Sequence, residues 1–128
     1  MQKILVVDDH SDIRRLMAIS LEDEFEVLQA ADGVQALALI RQERPFVVLM
    51  DIMMPGELDG LDVLRTVRAD PQTQRTLVAL ISARGQASDL ALGEACGADA
   101  YFAKPFSPLQ VVRWVLKQSH LQRERLLT

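Results

Sequence analysis

The sequence predicts an α/β fold, a doubly wound five-stranded parallel sheet flanked by five helices. Short apolar runs, typical of strands buried on both faces, alternate along the 128 residues with amphipathic stretches of helical period. Because successive strand–helix units join through right-handed crossovers, few topologies are open to such a chain. We expect the strand order 2-1-3-4-5, which places strands 1 and 3 side by side.

The first third of the chain predicts a strand, a helix and a second strand. Residues 3–8 contain the continuous apolar run Ile4–Val7, which predicts a strand. A second apolar stretch predicts the next strand over residues 25–30. Between them, residues 11–22 predict a helix, because one face repeats the apolar side chains Ile13, Leu16, Met17 and Leu21.

The middle of the chain predicts a helix, a strand and another helix. Gly33 interrupts the chain just where a helix is predicted, over residues 33–43. Residues 46–51 are apolar up to the last position and predict the third strand. The helix predicted over residues 61–69 ends shortly before Pro71, because the residue that precedes a proline avoids the helical region.

The last third predicts two more strands and two more helices. Apolar runs predict strands over residues 77–82 and 100–103. The helix predicted over residues 86–96 stops at Gly97, a residue type that favours helix C-termini. A final helix is predicted from residue 107, where serine followed by proline forms a favourable N-terminus.

Composition and charge limit the class of protein. The chain is 49% hydrophobic and 25% charged, as expected for one globular domain with its own core. Its net charge of −4 and lack of a long basic run argue against direct nucleic-acid binding by this domain. No apolar stretch approaches the ~18 residues that span a bilayer, and the first strand leaves no room for a signal peptide. We therefore expect a cytoplasmic protein without membrane contact.

Polar side chains stand at the ends of four predicted strands. Asp8 and Asp9 end or follow the first strand, Asp51 ends the third, and Ser82 and Lys104 end or follow the fourth and fifth. Three carboxylates at one sheet edge repel one another unless a cation joins them, and Mg²⁺ takes carboxylate and phosphate oxygens. Such a set suits phosphoryl transfer, in which an aspartate can act as the nucleophile.

These residues resemble the receiver domain of response regulators in two-component signalling, which has a flavodoxin-like fold. The matching segments are Leu5–Asp9, Asp51–Pro55, Asp59–Gly60, Ser82–Ala83, Gly97–Tyr101 and Lys104–Phe106. The resemblance implies a receiver domain over residues 1–118. Residues 119–128 are then a C-terminal helical extension or the start of a linker.

The resemblance implies a role for each acid. Asp51 matches the aspartate that takes a phosphoryl group from the phosphohistidine of a histidine kinase or phosphotransfer protein. Asp8 and Asp9 match the pair that holds Mg²⁺, Asp9 directly and Asp8 partly through water. Asp51 and the backbone carbonyl of Met53 complete that metal site. We interpret the neighbouring His10 as a loop or helix-cap residue, because imidazole is a poor partner for Mg²⁺.

The resemblance also implies a switch. The Ser82 hydroxyl turns toward the phosphoryl group, Lys104 pairs with it, and Tyr101 swings inward as the hydroxyl moves. The face formed by helix 4, strand 5 and helix 5 then changes its preference for an output domain or partner protein, and a homodimer stays open. The family has a cis peptide bond between Lys104 and Pro105.

Two departures and two alternatives accompany this interpretation. The segment Gly56–Leu58 makes the loop after strand 3 one residue longer than is usual in the family, and Met53 is apolar where the side chain can face incoming water. We expect a signalling receiver rather than an enzyme, with at most hydrolysis of its own aspartyl phosphate. The alternatives are a Mg²⁺-dependent phosphatase or phosphotransferase with an aspartyl intermediate, and an interaction module that never uses phosphate.

Overall fold

The computed structural model describes residues 1–82 and 87–127, which form strands and helices in strict alternation. The strands are β1 Lys3–Val7, β2 Glu26–Ala30, β3 Val47–Asp51, β4 Leu77–Ser82 and β5 Ala100–Ala103. The helices are α1 Ser11–Leu21, α2 Gly33–Glu43, α3 Gly60–Ala69, α4 Ala87–Cys96 and α5 Pro108–Leu127.

The strands form one parallel sheet in the order β2-β1-β3-β4-β5, which confirms the predicted fold class and topology. Val7 of β1 pairs with Met50 of β3, so the residues that follow both strands emerge at the same edge. Ser82, at the end of β4, pairs with Ala103 of β5. The carboxyl ends of four neighbouring strands therefore meet at one edge of the sheet.

Helices cover both faces of the sheet. Helices α1 and α5 contact each other on one face, while α2, α3 and α4 pack in sequence on the other. Each face has its own apolar cluster, because alternate side chains of every strand point to opposite sides. The central strand β3 is buried at every position, as its continuous apolar run predicts.

The chain between β3 and α3 is held close to the sheet edge. Asp59 caps α3 by accepting a hydrogen bond from the Asp62 amide at 2.9 Å, and the Asp62 carboxylate accepts one from the Asp59 amide at 3.1 Å. The first helical residue, Gly60, lies against the backbone of Asp51 and Ile52, where a Cβ atom would clash. A glycine is therefore required where α3 begins beside the end of β3.

Helix α5 continues to Leu127, beyond the 118 residues of the predicted receiver domain. Its later turns contact the Gln2 side chain near the start of the chain. The Ser119 hydroxyl donates to Gln2 Oε1 at 2.5 Å, and the Gln2 side-chain amide nitrogen donates to Gln122 Oε1 at 2.6 Å. In the part of the chain that the structure describes, no helix combines the length and apolar character needed to cross a membrane.

Candidate functional site

Three aspartates lie at the carboxyl edge of the sheet, where β1 and β3 end. Asp51 is the last residue of β3, and Asp8 follows β1 directly. Both are buried, with 3% and 2% of their surface exposed, whereas Asp9 is exposed. The Asp8 amide donates to the Ala30 carbonyl of β2 at 3.1 Å, which holds the end of β1 in place. The structure thus brings together the three acids that the sequence analysis singled out.

Lys104 follows β5, and its ammonium lies between the two buried carboxylates. Nζ donates to Asp51 Oδ2 at 2.9 Å and to Asp8 Oδ2 at 3.1 Å. Only 15% of the lysine side chain is exposed. The peptide bond between Lys104 and Pro105 is cis, as the resemblance implies. The structure therefore places Lys104 beside Asp51, the residue that the sequence predicts as the nucleophile.

One ammonium shared by two buried carboxylates leaves the site negatively charged. Burial is the largest influence on the pKa of Asp51 and raises it above its ordinary value of 3.8. The hydrogen bond and charge of Lys104 and the Met53 amide lower this pKa, and the charge of Asp8 raises it, so that the net direction stays upward. Burial would lower the pKa of Lys104, but the bonds and charges of Asp51 and Asp8 hold it above 10.5. A second cation would relieve this imbalance.

Met53 contributes its backbone to the site. Its amide donates to Asp51 Oδ1 at 3.1 Å, so each oxygen of the Asp51 carboxylate has a donor. The Met53 side chain is 70% exposed, as expected for a residue that faces incoming solvent. The structure shows the hydrogen bond from the Met53 amide to Asp51, whereas the role of the Met53 carbonyl as a metal ligand stays a prediction.

Ser82 ends β4 and is buried at the same edge of the sheet. Its hydroxyl donates to Asp89 Oδ2 of α4 at 3.4 Å, a long hydrogen bond that the sequence analysis did not anticipate. The next residues, Ala83 of the matching segment and Arg84 beside it, lie outside the described residues. The bond to Asp89 joins the end of β4 to the first turn of α4 across this stretch.

Tyr101 lies farther back from the edge, in the middle of β5. It pairs with Leu80 of β4, two residues before Ser82, so Tyr101 and Ser82 share one face of the sheet. The half-buried ring packs on the apolar cluster of that face and lines a cavity of about 290 Å³ with Leu90 and Gly93 of α4. The ring therefore has space beside it on the side of α4.

His10 lies closer to the acids than the sequence analysis expected. It occupies the N-cap position of α1, yet its side chain makes no capping hydrogen bond. Instead, Nδ1 lies 3.1 Å from Asp8 Oδ1 and 3.1 Å from Asp9 Oδ1. No sequence period could have shown this contact, because it depends on the rotamer of a single loop side chain.

The donor set fits a divalent cation. Ligand atoms of Asp8, Asp9, His10 and Asp51 all lie within 4.8 Å of one another. Three carboxylates against the single ammonium of Lys104 leave an excess of negative charge, and hard oxygen donors of this kind suit Mg²⁺. The acidic cluster could therefore hold the ion that the sequence predicts.

Comparison of the sequence with models of known protein families identifies the family of this chain. The model of the family described as response regulator receiver domain matches residues 4–116, which is most of the chain. The chain belongs to the response-regulator receiver family. This receiver domain is 40% identical over 112 residues to the DNA-binding response regulator MtrA of Mycolicibacterium paratuberculosis, covering 87% of this chain and 48% of that protein.

A second relative and a solved structure agree with this assignment. The receiver domain is 40% identical over 132 residues to the transcriptional regulatory protein CpxR of Klebsiella pneumoniae, covering 100% of this chain and 55% of that one. The receiver domain of Francisella response regulator 1452 superposes with a TM-score of 0.86 at 31% identity, covering 95% of this chain and 99% of that one. The chain spans about half the length of the curated relatives it matches.

Proposed function

We propose that this receiver domain is switched by phosphorylation of Asp51, with a histidine kinase or phosphotransfer protein as the donor. The observation that carries the proposal is the ammonium of Lys104, which bridges buried Asp51 and buried Asp8 at the sheet edge. A buried carboxylate with a fixed cation beside it is placed to accept a phosphoryl group, because that cation faces the charge that arrives.

The transfer exchanges one bond for another. A carboxylate oxygen of Asp51 attacks the phosphorus atom, and the bond from phosphorus to the imidazole nitrogen of the donor breaks. The electron pair of that bond stays on the leaving nitrogen, and the product is an acyl phosphate on Asp51. Lys104 offsets the charge on the transferred oxygens, and the Met53 amide holds the other side of the carboxylate.

Mg²⁺ is the cofactor that we propose. Asp8, Asp9, Asp51 and the Met53 carbonyl would hold it, with Asp8 partly acting through water. Bound there, the ion neutralises charge on the acids and on the transferring group. The excess of carboxylates over ammonium in the cluster supports this assignment.

An apolar surface beside the site suits a docking partner. Leu16 and Ile19 of α1 are exposed large apolar residues, at 47% and 58%. Leu16 also lines a largely apolar cavity of about 430 Å³ with Pro105 and Phe106, next to Lys104. A donor protein seated on this surface would bring its phosphohistidine to the open edge of the site.

In this proposal, Ser82 and Tyr101 transmit phosphorylation of Asp51 to the surface that binds the output partner. When the Ser82 hydroxyl turns to a phosphoryl oxygen, it leaves Asp89, and the ring of Tyr101 moves into the cavity at α4. The face made by α4, β5 and α5 then changes its preference for an output domain or partner protein, which is a shift in populations. A homodimer through this face is one such partner.

The wider setting is also proposed. The relative MtrA is a DNA-binding response regulator, and this chain matches about half of it. By analogy, a separate output domain, rather than this receiver domain, would bind nucleic acid. Residues 119–127 of α5 would lead toward such a domain. We assign the protein to the cytoplasm, where histidine kinases place their phosphorylated histidines and where the free Cys96 stays reduced.

The experiment is incubation with acetyl phosphate and Mg²⁺, followed by intact mass measurement. The parent should gain one phosphoryl group, Asp51→Asn should gain none, and Asp23→Asn, an exposed acid after α1, should label like the parent. Labelling of Asp51→Asn to the parent level would contradict the proposal. Repeated turnover of a phosphate ester far above stoichiometry would favour the phosphatase, and partner binding unchanged by beryllofluoride would favour the phosphate-independent module.

A further inference from the structure

We propose that His10 is an additional metal ligand, which makes this site bind borderline cations such as Co²⁺ more tightly, relative to Mg²⁺, than its carboxylates alone would. The inference rests on the proposed function, because it takes the acidic cluster to be the divalent-cation site. It assigns to His10 a role in metal selectivity that an all-oxygen set of ligands lacks.

The distances support ligation without rearrangement of His10. Nδ1 lies 3.1 Å from Asp8 Oδ1 and 3.1 Å from Asp9 Oδ1. Two neighbouring ligands of an octahedral ion, each at roughly 2.1 Å, are about 3.0 Å apart. The ring nitrogen therefore lies from both carboxylates at a separation that suits a shared ion as well as a hydrogen bond from a protonated nitrogen.

The chemistry of the three atoms points the same way. Both carboxylate oxygens are acceptors, and an imidazole nitrogen without its proton is an acceptor too. Three such atoms facing one another are stable only when a proton or a metal ion lies among them. The Asp8 oxygen already accepts from the His10 amide at 2.8 Å, which fixes the backbone of the loop relative to this carboxylate.

Apart from its contacts with Asp8 and Asp9, the His10 ring has little structural role. The side chain is 65% exposed, so it contributes little to the core, and it makes no capping bond to α1. Imidazole nitrogen suits Co²⁺, Ni²⁺ and Zn²⁺ but adds little for Mg²⁺. The ratio of affinities, rather than Mg²⁺ binding itself, is therefore the property that His10 should control.

The chain offers a matched control, because its second histidine lies far along α5. His120 is exposed and pairs with Glu124 at 3.0 Å, which makes it the competing place for a Co²⁺ ion. The experiment titrates Co²⁺ alone and Mg²⁺ alone by calorimetry into the parent, His10→Asn, His10→Gln and His120→Asn. The visible absorption of bound Co²⁺ reports separately whether a nitrogen ligand is present.

Co²⁺ affinity should fall at least about tenfold in both His10 variants, the low end of what even an outer-sphere partner contributes, with a shifted Co²⁺ absorption band. Mg²⁺ affinity should change far less, and His120→Asn should match the parent. Equal loss of both metals, no loss of Co²⁺, or a loss confined to His120→Asn would overturn the inference. Absence of Mg²⁺ binding by the parent would overturn it together with the proposed metal site.

Discussion

At the scale of single residues, Lys104 is the cation on which two buried carboxylates depend. It donates to Asp8 and Asp51 at once, yet the pKa of Asp51 stays above its ordinary value, chiefly because of burial. Folding therefore makes the ionised form of Asp51 less stable than it is in the unfolded chain. Above the raised pKa, this difference lowers the free energy of unfolding.

Replacement of Asp51 by asparagine should consequently stabilise the metal-free protein at pH 7. The amide keeps the shape of the carboxylate without its charge, and Lys104 keeps Asp8 as its partner. We expect Tm to rise by a few degrees, since about 1 kcal/mol corresponds to roughly 4 °C in a domain of this size. Thermal unfolding in the presence of a chelator measures the difference.

The stabilisation by Asp51→Asn should depend on pH, because it follows from the raised pKa of Asp51. The penalty from Asp51 is present above its raised pKa and disappears as pH falls below the unfolded value of 3.8, because both states then carry the proton. The advantage of Asp51→Asn should therefore shrink between neutral and acid pH. Asp23→Asn is the control, and an advantage at pH 7 that persists unchanged in acid would contradict this account.

The sequence predicted the convergence of Asp8, Asp51 and Lys104. The carboxyl ends of parallel strands lie at the same edge of the sheet, and the predicted strand order says which of these ends are neighbours. It did not predict the contacts of His10 with the acids or of Ser82 with Asp89. Those contacts depend on side-chain rotamers and on where a helix begins beside a strand end, and neither leaves a period in the sequence.

At the scale of elements, the junction between β3 and α3 positions Asp51. Gly60 opens α3 against the backbone of Asp51, and the capping box of Asp59 and Asp62 fixes the helix start at that point. The boundary came out one residue earlier than the pattern of apolar residues predicted. Because glycine has a low helix propensity, the sequence did not favour a helix that begins at Gly60. The need for glycine comes from the close approach of this residue to the Asp51 and Ile52 backbone, which only the structure shows.

Gly60→Ala should destabilise the protein by about 1–3 kcal/mol, the usual cost of overpacking, although alanine favours helices. The added Cβ would meet Asp51 carbonyl oxygen and Ile52 Cα, and backbone atoms cannot move aside cheaply. Chemical denaturation gives the free energy of unfolding.

Gly93→Ala in α4 is the matched control for this change. The Cβ added there would come too close only to the end of the Leu80 side chain, which can rotate, and would make an ordinary contact with Ala98. We expect it to be close to neutral, because relief of the glycine offsets a small packing adjustment. Equal effects of the two alanines would show that Gly60 is not required for close approach to Asp51.

At the scale of the whole molecule, the site and the proposed output face meet in β5. Lys104 follows this strand and Tyr101 lies within it. On the opposite side of the sheet, Phe102 packs edge-on against Trp114 of α5, with ring centres 6.2 Å apart. A change at Asp51 that moves β5 would therefore reach the single tryptophan of the chain.

Beryllofluoride with Mg²⁺ should change the fluorescence of Trp114 in the parent and leave Asp51→Asn unchanged. The mimic occupies the phosphoryl position, so rearrangement of Tyr101 and its neighbour Phe102 alters the surroundings of the indole ring. Emission spectra across a titration measure the effect. A saturable calorimetric signal for binding without any change of emission would contradict coupling between the site and α5.

The topology of the molecule was predictable because it follows from strand periodicity and crossover handedness, which are properties of the whole sequence. For residues 119–128 the sequence left a helical extension and the start of a linker both open, because this segment is mostly polar and lacks the apolar stripe that marks a packed helix. Contacts of Ser119 and Gln122 with Gln2 connect that segment to the domain. Such contacts between chain ends cannot be inferred from local pattern.

Location of the phosphoryl group tests the central claim most directly. After reaction with acetyl phosphate and Mg²⁺, borohydride reduces an aspartyl phosphate to homoserine, and peptide mapping finds the position of the altered residue. We predict homoserine at position 51 alone. Homoserine at position 8, 9 or 59, or a labelled chain without homoserine, would contradict it.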